Sequence, residues 1–343
     1  MLSGERVRQF RARDVPNCRW HAARGRGTIV AGAGAAGAPR RSDHPTLNRA
    51  SGAHEPDMAR ILLATHGGPS ADGAVRVGVQ LARRMGAELD VVGVLESAPV
   101  MDVGFAPVYV PEDPGDGQVA ARMRDEIRAQ LARCGGAPAP SASLEVRFGA
   151  AAPVITAEAR ERRSDVIVVG LGPHHLLDRA LGGETALQLA QMATVPVLAV
   201  AQQDAALPRR VVAAVDFSAT SVHAARTVTR WMMPGDVLHL AHVVPAAGTG
   251  DAQRADATAG VSARCRLEAL QRELSVPEGV RVELVELAGD PAPALLGLCD
   301  RVDAELLALG SHGYGVWKRL VLGSVASKVI RVATRSVLVV PRP

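Results

Sequence analysis

Glu305-Leu306-Leu307-Ala308-Leu309-Gly310-Ser311-His312-Gly313-Tyr314-Gly315-Val316-Trp317-Lys318-Arg319-Leu320-Val321-Leu322-Gly323-Ser324 is the stretch from which the fold can be read. The apolar run Leu306 to Leu309 has the texture of a strand buried on both faces, and residues 324–330 carry a helical pattern. Between them, glycines at 310, 313 and 323 and a hydroxyl at 324 form a Gly-x2-Gly-x9-Gly-Ser pattern. Glycine lets a backbone come close to a ligand, and a helix start offers unpaired N–H donors and the positive end of a dipole. A strand, a glycine loop and a helix in that order predict a cradle for phosphate oxygens. The plainer reading of Ser324 is a helix N-cap.

The spacing around this stretch recurs upstream. Gly149 to Gly170 and Gly289 to Gly310 are both 21 residues apart, and Gly170 to Thr194 and Gly310 to Thr334 are both 24. The segment Thr194-Val195-Pro196-Val197-Leu198-Ala199-Val200 thereby lies over Thr334-Arg335-Ser336-Val337-Leu338-Val339-Val340. Strand patterns at 60–65, 89–95, 144–148, 166–169 and 197–200 alternate with helical patterns at 70–85, 118–134, 152–162 and 185–192. The order restarts at 210–215 and 237–244, and the halves differ chiefly between their second and third strands. Alternation with unbroken apolar strands predicts an α/β fold of two tandem, doubly wound parallel-sheet domains. The domains are expected at 58–203 and 209–343, joined by a linker at 204–208.

Residues 1–57 have no periodicity and hold ten Arg against five acidic residues, so they read as a disordered, non-native extension with Met58 as the working start. Gly32-Ala33-Gly34-Ala35-Ala36-Gly37 matches a dinucleotide fingerprint, but no proper strand precedes it and Pro39-Arg40-Arg41 follows. Because the formal net charge of the whole chain is +4, the remaining residues sum to about −1. A near-neutral folded part argues against nucleic acid as a partner. No run approaches the ~18 apolar residues of a membrane helix. Four cysteines without close pairing fit reduced thiols, and a cytoplasmic location is expected.

Ligands of open parallel sheets sit beyond the carboxyl ends of the strands, where the winding reverses. Three loops of the second half converge there. Asp216, after the first strand, is placed to accept hydrogen bonds from a base amine or ribose hydroxyl; its plainer reading is a cap for the helix opened by Ser218 and Thr220. Val243, at the end of the second strand, has backbone groups able to read an adenine edge. Gly310, Gly313, Gly323, Ser324 and the adjoining Val325 complete the candidate site, flanked by His312 and Lys318. His239 and His242 do not share a face as paired metal ligands would, so no protein-held metal is expected. The first half has His66 in the place of Asp216, Pro173 in that of Gly313 and Glu184 in that of Ser324. A carboxylate facing polyphosphate is repulsive, so the first domain is expected to bind nucleotide weakly or not at all.

Gly310, Gly313, Gly323 and Ser324, with Asp216 after the first strand, resemble the ATP-binding subset of the universal stress protein family in its tandem form. The resemblance spans about 58–341 and implies an adenine nucleotide alpha hydrolase-like, Rossmann-like fold of five parallel strands per domain. It also implies ATP as ligand, with Mg2+ or Mn2+ on its phosphates. The last strands of the two halves are expected to pair as an intrachain pseudo-dimer, with a homodimer as further assembly. The implied role is a stress-response or signalling module acting on an unknown regulatory protein partner. The alternative is a slow ATPase or phosphotransferase at the same site. The chain lacks a Lys-bearing P-loop, kinase motifs and a Ser-His-Asp elbow, and it has few aromatics to hold a flavin.

Overall fold

A computed structural model describes residues 59–96, 116–135, 143–172, 183–204, 206–244, 262–313 and 322–342. The extension 1–57 with its Gly32–Gly37 pattern, the loop 97–115, Pro173, Pro245, Lys318 and Arg319 lie outside these residues.

The first domain runs β1 (Arg60–Ala64), α1 (Asp72–Met85), β2 (Glu88–Leu95), α2 (Asp116–Cys134), β3 (Leu144–Phe148), α3 (Ala151–Glu161), β4 (Val166–Leu171), α4 (Gly183–Met192) and β5 (Val197–Ala201). The second repeats it as β6 (Arg210–Ala214), α5 (Ala219–Thr229), β7 (Val237–Val244), α6 (Ala263–Glu273), β8 (Arg281–Ala288), α7 (Pro291–Arg301), β9 (Leu306–Gly310), α8 (Ser324–Val332) and β10 (Ser336–Val340). The expected strands and helices are all present, with ends shifted by a residue or two. A short 3-10 turn, Pro69–Ala71, takes the start of the helix expected from residue 70. Helix α1 ends where Gly86 adopts φ +61°, a left-handed stop that costs glycine little.

The strands form one ten-stranded sheet in the order β3-β2-β1-β4-β5-β10-β9-β6-β7-β8. All pairings are parallel except that of β5 with β10, which is antiparallel and sets Val337 against Ala199, Leu338 against Leu198 and Val339 against Val197. Side chains of alternating parity feed two apolar layers. Ile61, Leu63, Leu198, Leu240 and Leu338 lie under α1, α2, α5 and α6. Leu62, Val169, Val212, Leu307 and Val339 lie under α3, α4, α7 and α8. Each fully buried Leu or Ile withdraws enough apolar surface to stabilise by about 1.5–3 kcal/mol. Strands buried on both faces therefore read as continuous apolar runs.

The seam between domains also carries a polar clasp. Ala201 N–H donates to Ser336 Oγ at 3.0 Å, and the Ser336 hydroxyl donates to Asp204 Oδ2. Residue 204, taken as linker, is thus fastened to β10. Burial pushes the Asp204 carboxyl above its ordinary value, against the Ser336 hydrogen bond.

Candidate functional site

In the second domain the winding reverses between β6, which continues to β7 on one side, and β9, which continues to β10 on the other. Asp216 follows β6 there. Its Oδ1 accepts the Ser218 N–H at 2.9 Å and the Ser218 hydroxyl at 2.5 Å, closing an Asx-type turn. The helix cap is Ser218, not Asp216, because Ser218 Oγ accepts the Ser221 N–H at 3.3 Å. The other carboxylate oxygen faces the glycine loop: a Cβ on Gly313 would lie 2.7 Å from Asp216 Oδ2. A side chain at 313 would therefore collide with the acid.

Val243 presents its backbone to the same crevice. Ala241 C=O accepts the Val215 N–H at 2.7 Å, whereas Val244 C=O accepts the Gly289 N–H at 3.1 Å from the opposite edge. Strand groups alternate between neighbours, so the N–H and C=O of Val243 point toward the β6 side. The pairing of β6 with β7 ends at Ala214 and Ala241, so these groups extend past the partner strand. The Val243 side chain packs in the apolar layer beneath α7 and α8.

Ser311 fastens both ends of the glycine loop: its N–H donates to Val340 C=O and its C=O accepts the Gly323 N–H, each at 2.8 Å. A Cβ on Gly323 would lie 3.1 Å from that carbonyl. Gly310 has a different task from the one its sequence context suggests. A Cβ there would meet Thr220 Oγ1 at 2.6 Å and Ser221 N at 2.8 Å, so this glycine lets β9 pack against the start of α5. The Thr220 hydroxyl donates to His312 C=O, tying helix to loop. His312 Nδ1 shares a 2.8 Å hydrogen bond with Ser311 Oγ, while its Nε2 is buried without a partner among the described residues.

Gly323 is the N-cap of α8 and supplies no side-chain cap. Ser324 is the first helical residue and is exposed, with half-buried Val325 behind it. The N-cap reading of Ser324 is thus replaced by a helix start capped by a glycine, with no side-chain cap among the described residues, an arrangement suited to anionic oxygens. Asp216, Val243, Gly310, Gly313, Gly323, Ser324 and Val325 therefore lie along one stretch of the sheet's carboxyl edge. No group of His, Cys, Asp and Glu able to hold a metal occurs among the described residues. Buried His239 lies 3.3 Å from Glu283 Oε2, and burial lowers its basicity despite that carboxylate.

The turn after β1 in the first domain is tied to α2 by side-chain hydrogen bonds. The Thr65 hydroxyl donates to fully buried Gln130 at 2.7 Å, and Gln130 Nε2 donates to Gly68 C=O at 2.7 Å and Asp72 Oδ1 at 2.9 Å. In the second domain Val215 and Leu270 stand in the places of Thr65 and Gln130. His66 is exposed and shares a 3.2 Å hydrogen bond with Ser70. Glu184 is exposed in the first turn of α4.

A profile of the universal stress protein family matches residues 58–201 and again 208–341. A universal stress protein of Methanocaldococcus jannaschii is 36% identical over 78 residues, covering 22% of this chain and 46% of that protein. Universal stress protein YxiE of Bacillus subtilis is 33% identical over 69 residues, covering 20% of this chain and 47% of that protein. The chain thus matches just under half the length of these curated relatives. The crystal structure of a universal stress protein from Archaeoglobus fulgidus superposes with a TM-score of 0.51 at 19% identity, covering 82% of this chain and 96% of that one, a likeness of fold. No helix among the described residues is long and apolar enough to cross a membrane.

Proposed function

Since the chain belongs to the universal stress protein family, matched twice in tandem, we propose that its second domain binds ATP and that the protein is a nucleotide-dependent stress-response or signalling module without efficient catalysis. The observation that carries this reading is the approach of Asp216 Oδ2 to Gly313, 2.7 Å from where a Cβ would stand. It brings a base- or ribose-binding acid against a loop that ends at the start of α8. Val243 backbone groups would read the adenine edge, Asp216 would accept from the nucleoside, and the N–H groups after Gly323 would receive phosphate oxygens, with Ser324 and Val325 beside them. The residues fit such a ligand: two glycines leave no room for side chains along its path, and the helix start has a glycine at its cap position. Mg2+ or Mn2+ would arrive on the phosphates.

The first domain, with His66 and Glu184 in the places of Asp216 and Ser324, serves as a scaffold that takes ATP weakly or not at all. The assembly is an intrachain pseudo-dimer, with homodimer formation and an unidentified regulatory protein partner as further steps, in the cytoplasm. Calorimetry should find about one ATP per chain, with binding lost in Gly323→Val and in Asp216→Ala. Two equivalents per chain would overturn the scaffold role of the first domain, and undiminished affinity in both variants would remove the site assignment. Turnover of labelled ATP above the ~1 s⁻¹ floor of ordinary enzymes would replace the signalling reading with an enzymatic one.

A further inference from the structure

The turns after β1 and β6 differ in a coordinated way. Thr65 N–H donates to Val92 C=O at 3.0 Å, and Val215 N–H to Ala241 C=O at 2.7 Å. This register sets His66 against Asp216, Gly67 against Phe217, and Gly93 against His242. The second turn residue is left-handed in both domains, with φ +85° at Gly67 and +63° at Phe217. Glycine accepts that conformation readily, whereas a phenylalanine persists there only when its surroundings hold it.

In the first domain, helix α2 sits directly on the glycines. A Cβ on Gly67 would lie 2.9 Å from Glu126 Cβ, and one on Gly93 would lie 2.7 Å from Ile127 Cδ1. In the second domain, rings fill that space. The Phe217 and His242 centroids are 4.8 Å apart at 44°, and the Arg266 guanidinium on α6 stands 3.8 Å over the Phe217 ring. His242 Nδ1 shares a 2.7 Å hydrogen bond with Val215 C=O, the residue before Asp216. Strand and helix thus each send one side chain to the ring of the turn residue whose backbone angle aims Asp216. The domain with the intact glycine pattern has all three; the other has Gly67, Gly93 and Glu126 in their places.

We propose that the Arg266–Phe217–His242 stack is a positioning device: it holds Phe217 left-handed and so keeps Asp216 aimed at Gly313, with Arg266 as the positioning residue. A guanidinium over an aromatic face and a tilted ring pair are both attractive geometries, and the partly buried setting strengthens the first. Its effect on affinity rests on the reading that the second domain binds ATP; its effect on the turn does not.

The test uses the full chain, with ATP–Mg2+ calorimetry and amide exchange at Ser218, whose N–H donates to Asp216 Oδ1. Arg266→Ala should weaken ATP binding about fivefold and speed Ser218 exchange by a similar factor. Arg266→Lys, which returns a cation to the ring, should recover most of both. Phe217→Gly, the first-domain residue, should weaken binding about tenfold. Absence of ATP binding by the unaltered chain would defeat the ATP reading alone, because faster Ser218 exchange in Arg266→Ala would still support the stack. Unchanged exchange and affinity in Arg266→Ala, or loss that Arg266→Lys does not repair, would overturn the proposal.

Discussion

Beneath β2 and β3 the first domain seats its helix by charge, whereas the second seats the equivalent helix by apolar packing. Arg162, at the end of α3, reaches Glu158 Oε2 at 2.9 Å, Glu145 Oε1 at 2.8 Å and Asp90 Oδ1 at 3.2 Å, and Arg147 meets Glu158 Oε1 at 2.6 Å. In the same register the second domain has Val302, Leu298, Val285, His239 and Leu287 for Arg162, Glu158, Glu145, Asp90 and Arg147. Four of these five lie in the apolar layer on that face or pack against it. The chain path is preserved while the chemistry of the layer is exchanged. One backbone therefore accepts either solution, but the two should fail differently. A buried ion network fails when one member is removed, because the others keep their desolvation cost without compensation.

The largest expected effect follows from that. Arg162→Ala should lower stability by about 3–5 kcal/mol in urea denaturation, since Glu158 and Asp90 have side chains only 7% and 6% exposed. Leu298→Ala in the second domain should cost a comparable ~2–5 kcal/mol through the cavity it leaves. Acid separates them. Burial alone would raise the Glu158 carboxyl, but hydrogen bonds from Arg162 and Arg147 outweigh it and hold the group below its ordinary value of 4.5. The network's contribution is thus complete above that value and is lost as pH falls through the lower folded-state value. Stability of the unaltered chain should drop below about pH 4.5, and Arg162→Ala should flatten that drop while Leu298→Ala leaves it in place. An unchanged acid limb in Arg162→Ala would break the contrast.

The glycines sharpen the comparison at a smaller scale. Gly310→Ala should cost about 2 kcal/mol, because the new methyl group would press on Thr220 and Ser221. Gly170→Ala, in the same position of the first domain, has its nearest neighbour at 3.7 Å and should be close to neutral. Equal melting temperatures for the two variants would mean that the second glycine loop is no more tightly built than the first.

The smallest effect is expected at the seam. Because burial raises the folded-state carboxyl of Asp204, protonation favours the fold and this group adds stability as pH falls, opposite in sign to Glu158. Asp204→Asn, which keeps an acceptor for Ser336, should raise Tm by about 2 °C near neutral pH, with the gain vanishing in acid. A fall in Tm would show that the charge itself supports the clasp.

The architecture was legible because strands buried on both faces must be apolar throughout, as Leu306–Leu309 and Val337–Val340 are. The internal repeat added register, which located Asp216 and the glycine loop together. Pairing of β5 with β10 was expected only through family resemblance, since an apolar strand does not encode its neighbour. The Arg162 network was missed because charged residues along α3 and β3 look like solvated positions until burial is known. Phe217, His242 and Arg266 were missed for a related reason: they meet across the fold, and a left-handed φ at phenylalanine leaves no mark in sequence. Gly310 was noticed as part of the loop, but its close packing against the start of α5 left no mark in the sequence.

The antiparallel seam also has a consequence for synthesis. Val197–Ala201 is an apolar strand whose outer edge is paired, among the described residues, with Ser336–Val340, more than a hundred residues later in the chain. At ~5–20 residues per second, a ribosome takes on the order of ten seconds to make that interval. During that time the finished first half presents an uncovered strand edge to its surroundings, the situation in which neighbouring nascent chains on one message pair with each other. The last five-residue strand therefore acts as the protein's release condition: until it emerges, the first half is complete in sequence and still adhesive.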